Sequence, residues 1–368
     1  MLERAHFPCT KLCGDFIHPY GVAALDRLGV LTELLPRARI LRGMKIVSPA
    51  GREVFGAFPA GIGLSLSRAV LDERLLQAAR RAGAAVETGR AARAVQRRSG
   101  RWQVRTEEAE ISARILVGAD GARSLVARAA GLSDPPATRG RYAVGLRVRG
   151  MATSEGYAEM HLARDAYCGV STFPDGETTV TMVGRKHEIL RRRELIARGL
   201  LDGAAHGLLA PFPALRSRVG AGTITELRAT GPLAPSGHPV AADGVLLVGD
   251  AADHTDPLTG QGVSMALVSA AVAAEVVDRA LTAGNTGATA LSAYARWHRR
   301  WHALHRLLDL IDWVALRSPL IEPLARAWGR HPALAKSFLG IIGNADPVRG
   351  VVSPAYLSRL ALACIWRA

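Results

Sequence analysis

Apolar positions in this chain follow two periods, and the period changes along its length. After Ser67, the positions Val70, Leu71, Leu75, Leu76 and Ala79 recur at helical spacing and stop at Gly83, predicting a helix capped by Ser67. Residues 19–28 predict an earlier helix, closed by Gly29. Residues 44–48 and 53–58 flank the turn Pro49-Ala50-Gly51-Arg52 and predict a hairpin. Strands are then expected over 85–88, 94–96, 102–106 and 111–118. From 142 to 233 the signal is mostly β, at 142–149, 159–162, 167–174 and 178–184, with a basic helix over 186–199. Residues 245–248 form a short, fully apolar run ending in Gly249-Asp250, as buried parallel strands do. A long helix over 262–283 follows, and residues 286–368 read as helix throughout.

Composition narrows the function classes. With 368 residues, 49% apolar and 21% charged, the chain carries enough apolar mass for two or three packed units and is not disordered. Cys9, Cys13, Cys168 and Cys364 make neither a disulfide framework nor paired C-x-x-C knuckles, so a reduced, cytoplasmic setting is expected. Charge arrives at Glu3 and Arg4 before any apolar run, unlike a signal peptide. The most apolar long stretch, 265–283, contains Glu275, Asp278 and Arg279, which does not suit a membrane span.

The net charge of +15 raises nucleic acid as a partner. Only four of the 47 basic residues are lysines, the arginines are scattered, and aromatics reach 5% with no zinc finger or RNP segment. No specific nucleic-acid partner is expected. Acidic partners remain: a phosphorylated cofactor, an anionic membrane surface met peripherally, or an acidic carrier protein.

Three segments carry chemistry. Residues 115–128 deliver a strand into Gly118-Ala119-Asp120-Gly121, with Ser124 capping the next helix; Gly121 permits a tight turn, and Asp120 can anchor backbone amides or a cofactor hydroxyl. Residues 245–263 end a buried strand at Asp250, then run through Asp253-His254 and Asp256-Pro257-Leu258-Thr259-Gly260-Gln261-Gly262 into a helix N-terminus. That offers a carboxylate for sugar hydroxyls and a positive dipole end for an anion. The third segment, 7–19, holds Lys11-Leu12-Cys13-Gly14-Asp15 and is too polar for core. His298, His302 and His305 share a helix face, yet arginines crowd them and no metal site is expected. Cys9 and Cys13 are close enough in sequence for a metal or redox pair, though a loop role for Cys13 is favoured.

In this order and spacing the segments resemble the FAD-dependent oxidoreductases of the p-hydroxybenzoate hydroxylase and geranylgeranyl reductase superfamily. Residues 118–128 look like that family's "DG" motif and 249–262 like its "GD" motif. Lys11 to Asp15 is similar to its K-x-C-G-[DEG] loop, and Arg68-Ala69-Val70-Leu71-Asp72 to its R-x-x-L-D helix start. The resemblance covers about residues 1–285 and implies an α/β fold: a discontinuous Rossmann-like FAD-binding domain (1–40, 67–140, 236–285), a mostly antiparallel β substrate domain (41–66, 141–235) and a helical C-terminal region (286–368). It implies FAD contacts from Glu3, Arg4, Lys11, Cys13, Gly14, Arg68, Asp120, Gly121, Gly249, Asp250, Gly260, Gln261 and Gly262. Pro257, Leu258 and Thr259 are expected beside the isoalloxazine.

The family opens with a strand and a G-x-G-x-x-G turn, which this sequence lacks. Leu2-Glu3-Arg4 matches the end of the family's second strand, so the chain is expected to begin about thirty residues late, lacking the first strand and helix and binding FAD poorly as it stands. The resemblance implies a monooxygenase acting on a hydrophobic or aromatic small molecule with NAD(P)H and O2. The alternatives are a geranylgeranyl-reductase-like enzyme saturating C=C bonds of a lipid-like substrate, and a truncated non-catalytic remnant.

Overall fold

The computed structural model describes all residues except 134–139, 187–188, 190–200, 234–237, 255, 318–320, 343–352 and 366–368. The basic helix expected over 186–199 falls largely outside that set.

A seven-stranded sheet forms the larger layer. Its order is Thr223–Leu233, Arg141–Arg149, Thr178–Arg185, Ala166–Thr172, Tyr157–Ala163, Gly43–Val47 and Glu53–Ala57. Every pairing is antiparallel except that of Gly43–Val47 with Tyr157–Ala163. The predicted hairpin therefore joins the sheet from far upstream. Both faces are covered. Val144, Leu146, Cys168 and Met182 pack towards the helices Leu201–Leu208 and Pro213–Gly220. Ala143, Met160, Tyr167 and Val183 face Ile321, Trp328, Phe338 and Tyr356 of the C-terminal helices. A sheet buried on two sides gains apolar residues on both parities of its strands, which is why its sequence signal lacks clean alternation.

The other side of the molecule is built from small sheets. Leu116–Gly118 runs parallel to Val245–Leu247, and Ala241–Ala242 adds an antiparallel edge. Leu2–Glu3 pairs in parallel with Glu87–Thr88. Phe16–Ile17 and Arg39–Leu41 flank Gly63–Ser65. The helix Gly262–Thr282 packs against both Pro19–Arg27 and Ala288–Arg317, and Tyr294 OH donates to Leu247 O at 2.7 Å. The expected strand over 111–118 divides in two. Glu110–Ala113 closes the meander with Ala94–Arg98 and Arg101–Arg105, whereas Leu116–Gly118 crosses to Val245–Leu247. A second correction concerns the helix Arg68–Arg81. Ser67 occupies its N-cap, but the side chain makes no capping hydrogen bond; Asp15 Oδ1 accepts from Arg68 N at 3.1 Å instead.

The sheet buries a charged network around Glu159. Glu159 accepts from Arg218 Nη1 and Nη2 at 2.7 and 2.8 Å and from Ser154 N at 2.9 Å. His161 Nε2 lies at 2.8 Å and Lys45 Nζ at 3.4 Å. Burial opposes ionisation of Glu159, but the His161 and Arg218 hydrogen bonds outweigh it and hold the carboxyl well below the usual carboxylate range. A depressed folded pKa contributes stability above the unfolded value, about 4.3 for a glutamate, and loses it as pH falls below that. Glu159→Gln is therefore expected to cost about 1.5–3 kcal/mol at neutral pH. In urea titrations the gap from the parent should shrink as the buffer is lowered below about pH 4. A gap independent of pH would contradict the ionised reading.

Candidate functional site

The carboxyl ends of the two parallel strands Leu116–Gly118 and Val245–Leu247 lie side by side, joined by Val248 N to Gly118 O at 2.9 Å. Both predicted turns leave from this end, where open α/β sheets bind ligands. They use their acids differently. Asp120 Oδ2 accepts from Leu125 N and Val126 N at 2.6 and 3.3 Å, and Ser124 Oγ donates to Asp120 Oδ1 at 2.5 Å. Ser124 also caps the helix through Ala127 N, so Asp120 serves the turn itself. The Asp250 side chain, by contrast, is 49% exposed, with His254 Nδ1 at 3.6 Å. Gly249 ends its strand at φ 56, a left-handed turn that swings the chain across the strand end.

Asp253 is 6% exposed, deeper than Asp250, and His302 of the helix Ala288–Arg317 closes onto its carboxylate. Burial works against a charged His254, but Asp250, Asp253 and Asp256 prevail and raise its pKa. Trp297 and Trp301 of the same long helix face Gly249, Asp250, Gly262 and Met265 across a small pocket.

The loop 7–15 is tied down on two sides. Lys11 Nζ reaches Asp72 Oδ2 at 2.8 Å, and Arg68 holds Asp72 through Nε and Nη2 at 2.8 and 2.9 Å. Asp15 is 1% exposed, at φ 53. Its Oδ2 accepts from Arg147 Nη2 at 2.9 Å and Thr179 Oγ1 at 2.8 Å. Thr181 Oγ1 donates to Cys13 O at 3.1 Å. One short loop thus binds the helix Arg68–Arg81 to the large sheet. Burial, reinforced by the nearby Asp15 charge, pushes the Cys13 thiol up, so the group is neutral near pH 7.

The segment 256–262 is held from opposite directions. Asp256 caps the short turn Pro257–Thr259 by accepting from Leu258 N at 3.1 Å. Asp256 also accepts from Tyr167 OH, and Arg141 Nε stands 3.4 Å from Asp256 Oδ2 while its guanidinium lies over the Tyr167 ring. On the other side His18 Nε2 meets Thr259 O at 2.7 Å, and Ser264 Oγ accepts from His18 N at 3.1 Å. Gly260 sits at φ 68, and a Cβ there would come within 3.0 Å of the Phe16 ring. Tyr167→Phe removes one donor from the partly exposed Asp256 carboxylate and is expected to cost about 1–2 kcal/mol in denaturant unfolding. Faster proteolytic cutting near residue 258 should accompany it; unchanged stability would show that the Tyr167 hydroxyl adds nothing.

The residues present fit a flavin dinucleotide. A Cβ built on Gly14, Gly121 or Gly262 meets nothing within 4 Å, so their backbones face open space that a ligand can enter. A half-exposed carboxylate at a strand end and the first turn of a 21-residue helix supply a hydroxyl acceptor and an anion-favouring dipole. Fold and site together define a dinucleotide-binding flavoprotein.

Comparison with known proteins agrees. Residues 1–166 match the model of an FAD binding domain. Digeranylgeranylglycerophospholipid reductase 1 of Methanopyrus kandleri is 32% identical over 317 residues, spanning 82% of this chain and 80% of that protein. Menaquinone reductase of Mycobacterium tuberculosis is 29% identical over 299 residues, spanning 76% and 70%. A flavoprotein/dehydrogenase from Cytophaga hutchinsonii superposes with a TM-score of 0.81 at 16% identity, covering 98% of this chain and 91% of its own. This chain belongs to the FAD-dependent oxidoreductases of the geranylgeranyl reductase and p-hydroxybenzoate hydroxylase superfamily, and FAD is its cofactor.

The structure gathers Gly249, Asp250, Gly260, Gln261 and Gly262 at one strand end, with the turn of Asp120 and Gly121 beside them. Lys11, Cys13, Gly14 and Arg68 form a second group, joined to the first through Phe16 and His18. Glu3 sits in the separate pair with Glu87–Thr88 and accepts from Ala5 N at 2.8 Å, with Arg4 just beyond the strand. Sequence reading missed Arg147, Thr179, Tyr167, Arg141 and His18. An arginine inside an apolar strand was the signal for Arg147, but its partner lies 132 positions away in the chain. Among the described residues no His/Cys/Asp/Glu cluster holds a metal geometry, and no helix is long and apolar enough to cross a membrane.

Proposed function

We propose that this FAD-dependent oxidoreductase saturates carbon–carbon double bonds of an apolar, lipid-like substrate, with NAD(P)H as electron donor. The observation that carries this reading is a continuous apolar layer between the large sheet and the C-terminal helices. Phe16, from the strand that follows loop 7–15, and Leu258, from segment 256–262, belong to the same cluster as Met160, Tyr167, Trp328 and Tyr356. An extended hydrocarbon entering at the edge of this layer, beside Phe16 and Leu258, would gain apolar burial there. The names of the two curated relatives, both reductases, favour this branch over hydroxylation.

Bound FAD, once reduced, supplies hydride. This chain's own residues bind and position. Asp250 would accept a cofactor hydroxyl, and the first N–H groups after Gln261 would favour negative charge on the bound group. Tyr167, Arg141 and His18 would fix segment 256–260, and the packed Phe16 and Leu258 side chains would exclude water.

The test is anaerobic turnover of a polyprenyl lipid or quinone with FAD and NAD(P)H, read by mass spectrometry. Gain of two hydrogens per bond supports the reading. Gain of oxygen in aerated buffer without saturation would replace it with hydroxylation.

A further inference from the structure

The helix Pro354–Ile365 turns one side onto the protein. Tyr356 is buried, with its hydroxyl donating to Leu334 O at 3.1 Å and accepting from Trp328 Nε1 at 3.3 Å. Leu360 and Ala363 pack against the same apolar cluster. At about 3.6 residues per turn, the opposite side carries Leu357, Ser358, Ala361 and Leu362. All four are exposed, Leu357 at 51% and Leu362 at 59%. None is charged. A helix seated on a water-facing surface ordinarily turns charged and polar residues outward, so this outer face is anomalous.

Among the described residues the surroundings are cationic. Arg359, the helix's one charge, lies at the margin of that face and is exposed. The neighbouring helices Ile321–Arg330 and Pro332–Ile342 expose Arg326, Arg330 and Lys336, and Arg326 stands near enough to Cys364 to act on its thiol. Among the described residues from Pro323 to Ile365 there is no Asp or Glu. Glu322, just before them, faces the other way, accepting from Ala50 N at 2.7 Å.

We propose that this face docks the protein onto an anionic lipid bilayer, with Leu357 and Leu362 entering the headgroup boundary and the surrounding cations meeting anionic lipid. The helix has 12 residues, and a span needs about 20, so it lies in the interface plane. A second copy of this chain on the same face would set cation against cation in a protein of net charge +15, whereas an anionic membrane neutralises that charge. The docking face is independent of which bond the enzyme reduces, although a lipid-like substrate would be met at the same surface.

Flotation of the full chain with vesicles tests it. The parent should float with phosphatidylcholine vesicles containing about one third phosphatidylglycerol at about 0.1 M salt, and several-fold less at about 0.5 M. It should remain unbound with phosphatidylcholine alone. The double variant Leu357→Asp/Leu362→Asp should partition at least about tenfold more weakly, because two inserting side chains become charged. Its melting midpoint should stay at the parent's, since both positions are exposed. Arg359→Glu, which leaves the apolar face intact, should lose several-fold (about three- to tenfold). Absence of binding to the anionic vesicles, or parent-like flotation of the double variant, overturns the proposal. So does a dimer by light scattering that dissociates in the double variant. Turnover of detergent-dispersed substrate should be unchanged in both variants, so a failed docking test leaves the reductase reading standing, and loss of turnover in the parent leaves docking standing.

Discussion

Asp15→Ala is expected to be the most destabilising single change at the site, costing about 3–5 kcal/mol. Asp15 is almost fully buried and neutralises Arg147, which is itself buried, so deletion of the carboxylate leaves a guanidinium with its charge uncompensated. It also strips the acceptor from Arg68 N at a helix start where Ser67 provides no cap. Backbone strain adds to this, because φ is 53 and alanine tolerates that conformation less well than aspartate or asparagine. Asp15→Asn keeps the tolerated backbone and one acceptor oxygen while removing the charge, so it should fall between parent and alanine. Urea unfolding of the three proteins measures the series. Because the same carboxylate joins loop 7–15 to the sheet, FAD affinity should fall in step with stability. A stable Asp15→Ala protein would show that Arg147 finds Glu177, 4.0 Å away, as a sufficient substitute.

Asp250→Ala is expected to act on cofactor affinity instead. Its carboxylate is half exposed, with only His254 near, so little folding energy rests on it. A carboxylate accepting a cofactor hydroxyl contributes about 1.5–3 kcal/mol. Kd for FAD should therefore rise roughly ten- to a hundred-fold, with the melting midpoint of the apo-protein nearly unchanged. Flavin fluorescence titration reads the ratio between variant and parent, whatever the parent's absolute affinity. Asp253→Ala should do the reverse. Its buried pair with His302 anchors the long helix to the loop, so stability falls by about 1–3 kcal/mol while Kd moves much less. Equal FAD affinity in Asp250→Ala and the parent would remove the main reason for assigning the cofactor to this strand end.

Much of this was open to reading in the chain itself. The periodicity from Val70 to Ala79, the turn at Gly29 and the hairpin around residues 49–52 depend on neighbours within a few positions, and all three appear in the structure. The Gly118–Gly121 and Gly249–Gly262 segments are local too, since a strand end, a glycine turn and a helix start are consecutive in sequence. Their arrival at one sheet end followed from the parallel strands that precede them.

What only the tertiary structure decided is which carboxylates are free and which are spent. Asp120, Asp250 and Asp253 look alike in sequence. Asp120 is taken up by Leu125 N and Val126 N of its own turn, and Asp253 by a histidine 49 positions away, while Asp250 stays half exposed with His254 beside it. Asp15 and Arg147, Tyr167 and Asp256, and the parallel pairing of Gly43–Val47 with Tyr157–Ala163 likewise join residues about ninety or more positions apart. Local propensity and short-range hydrogen bonding are written into consecutive residues, so the chain by itself determined the flavin motifs and the elements that carry them. Burial and ion pairing depend on which distant surfaces meet, and that is settled only when the whole chain packs.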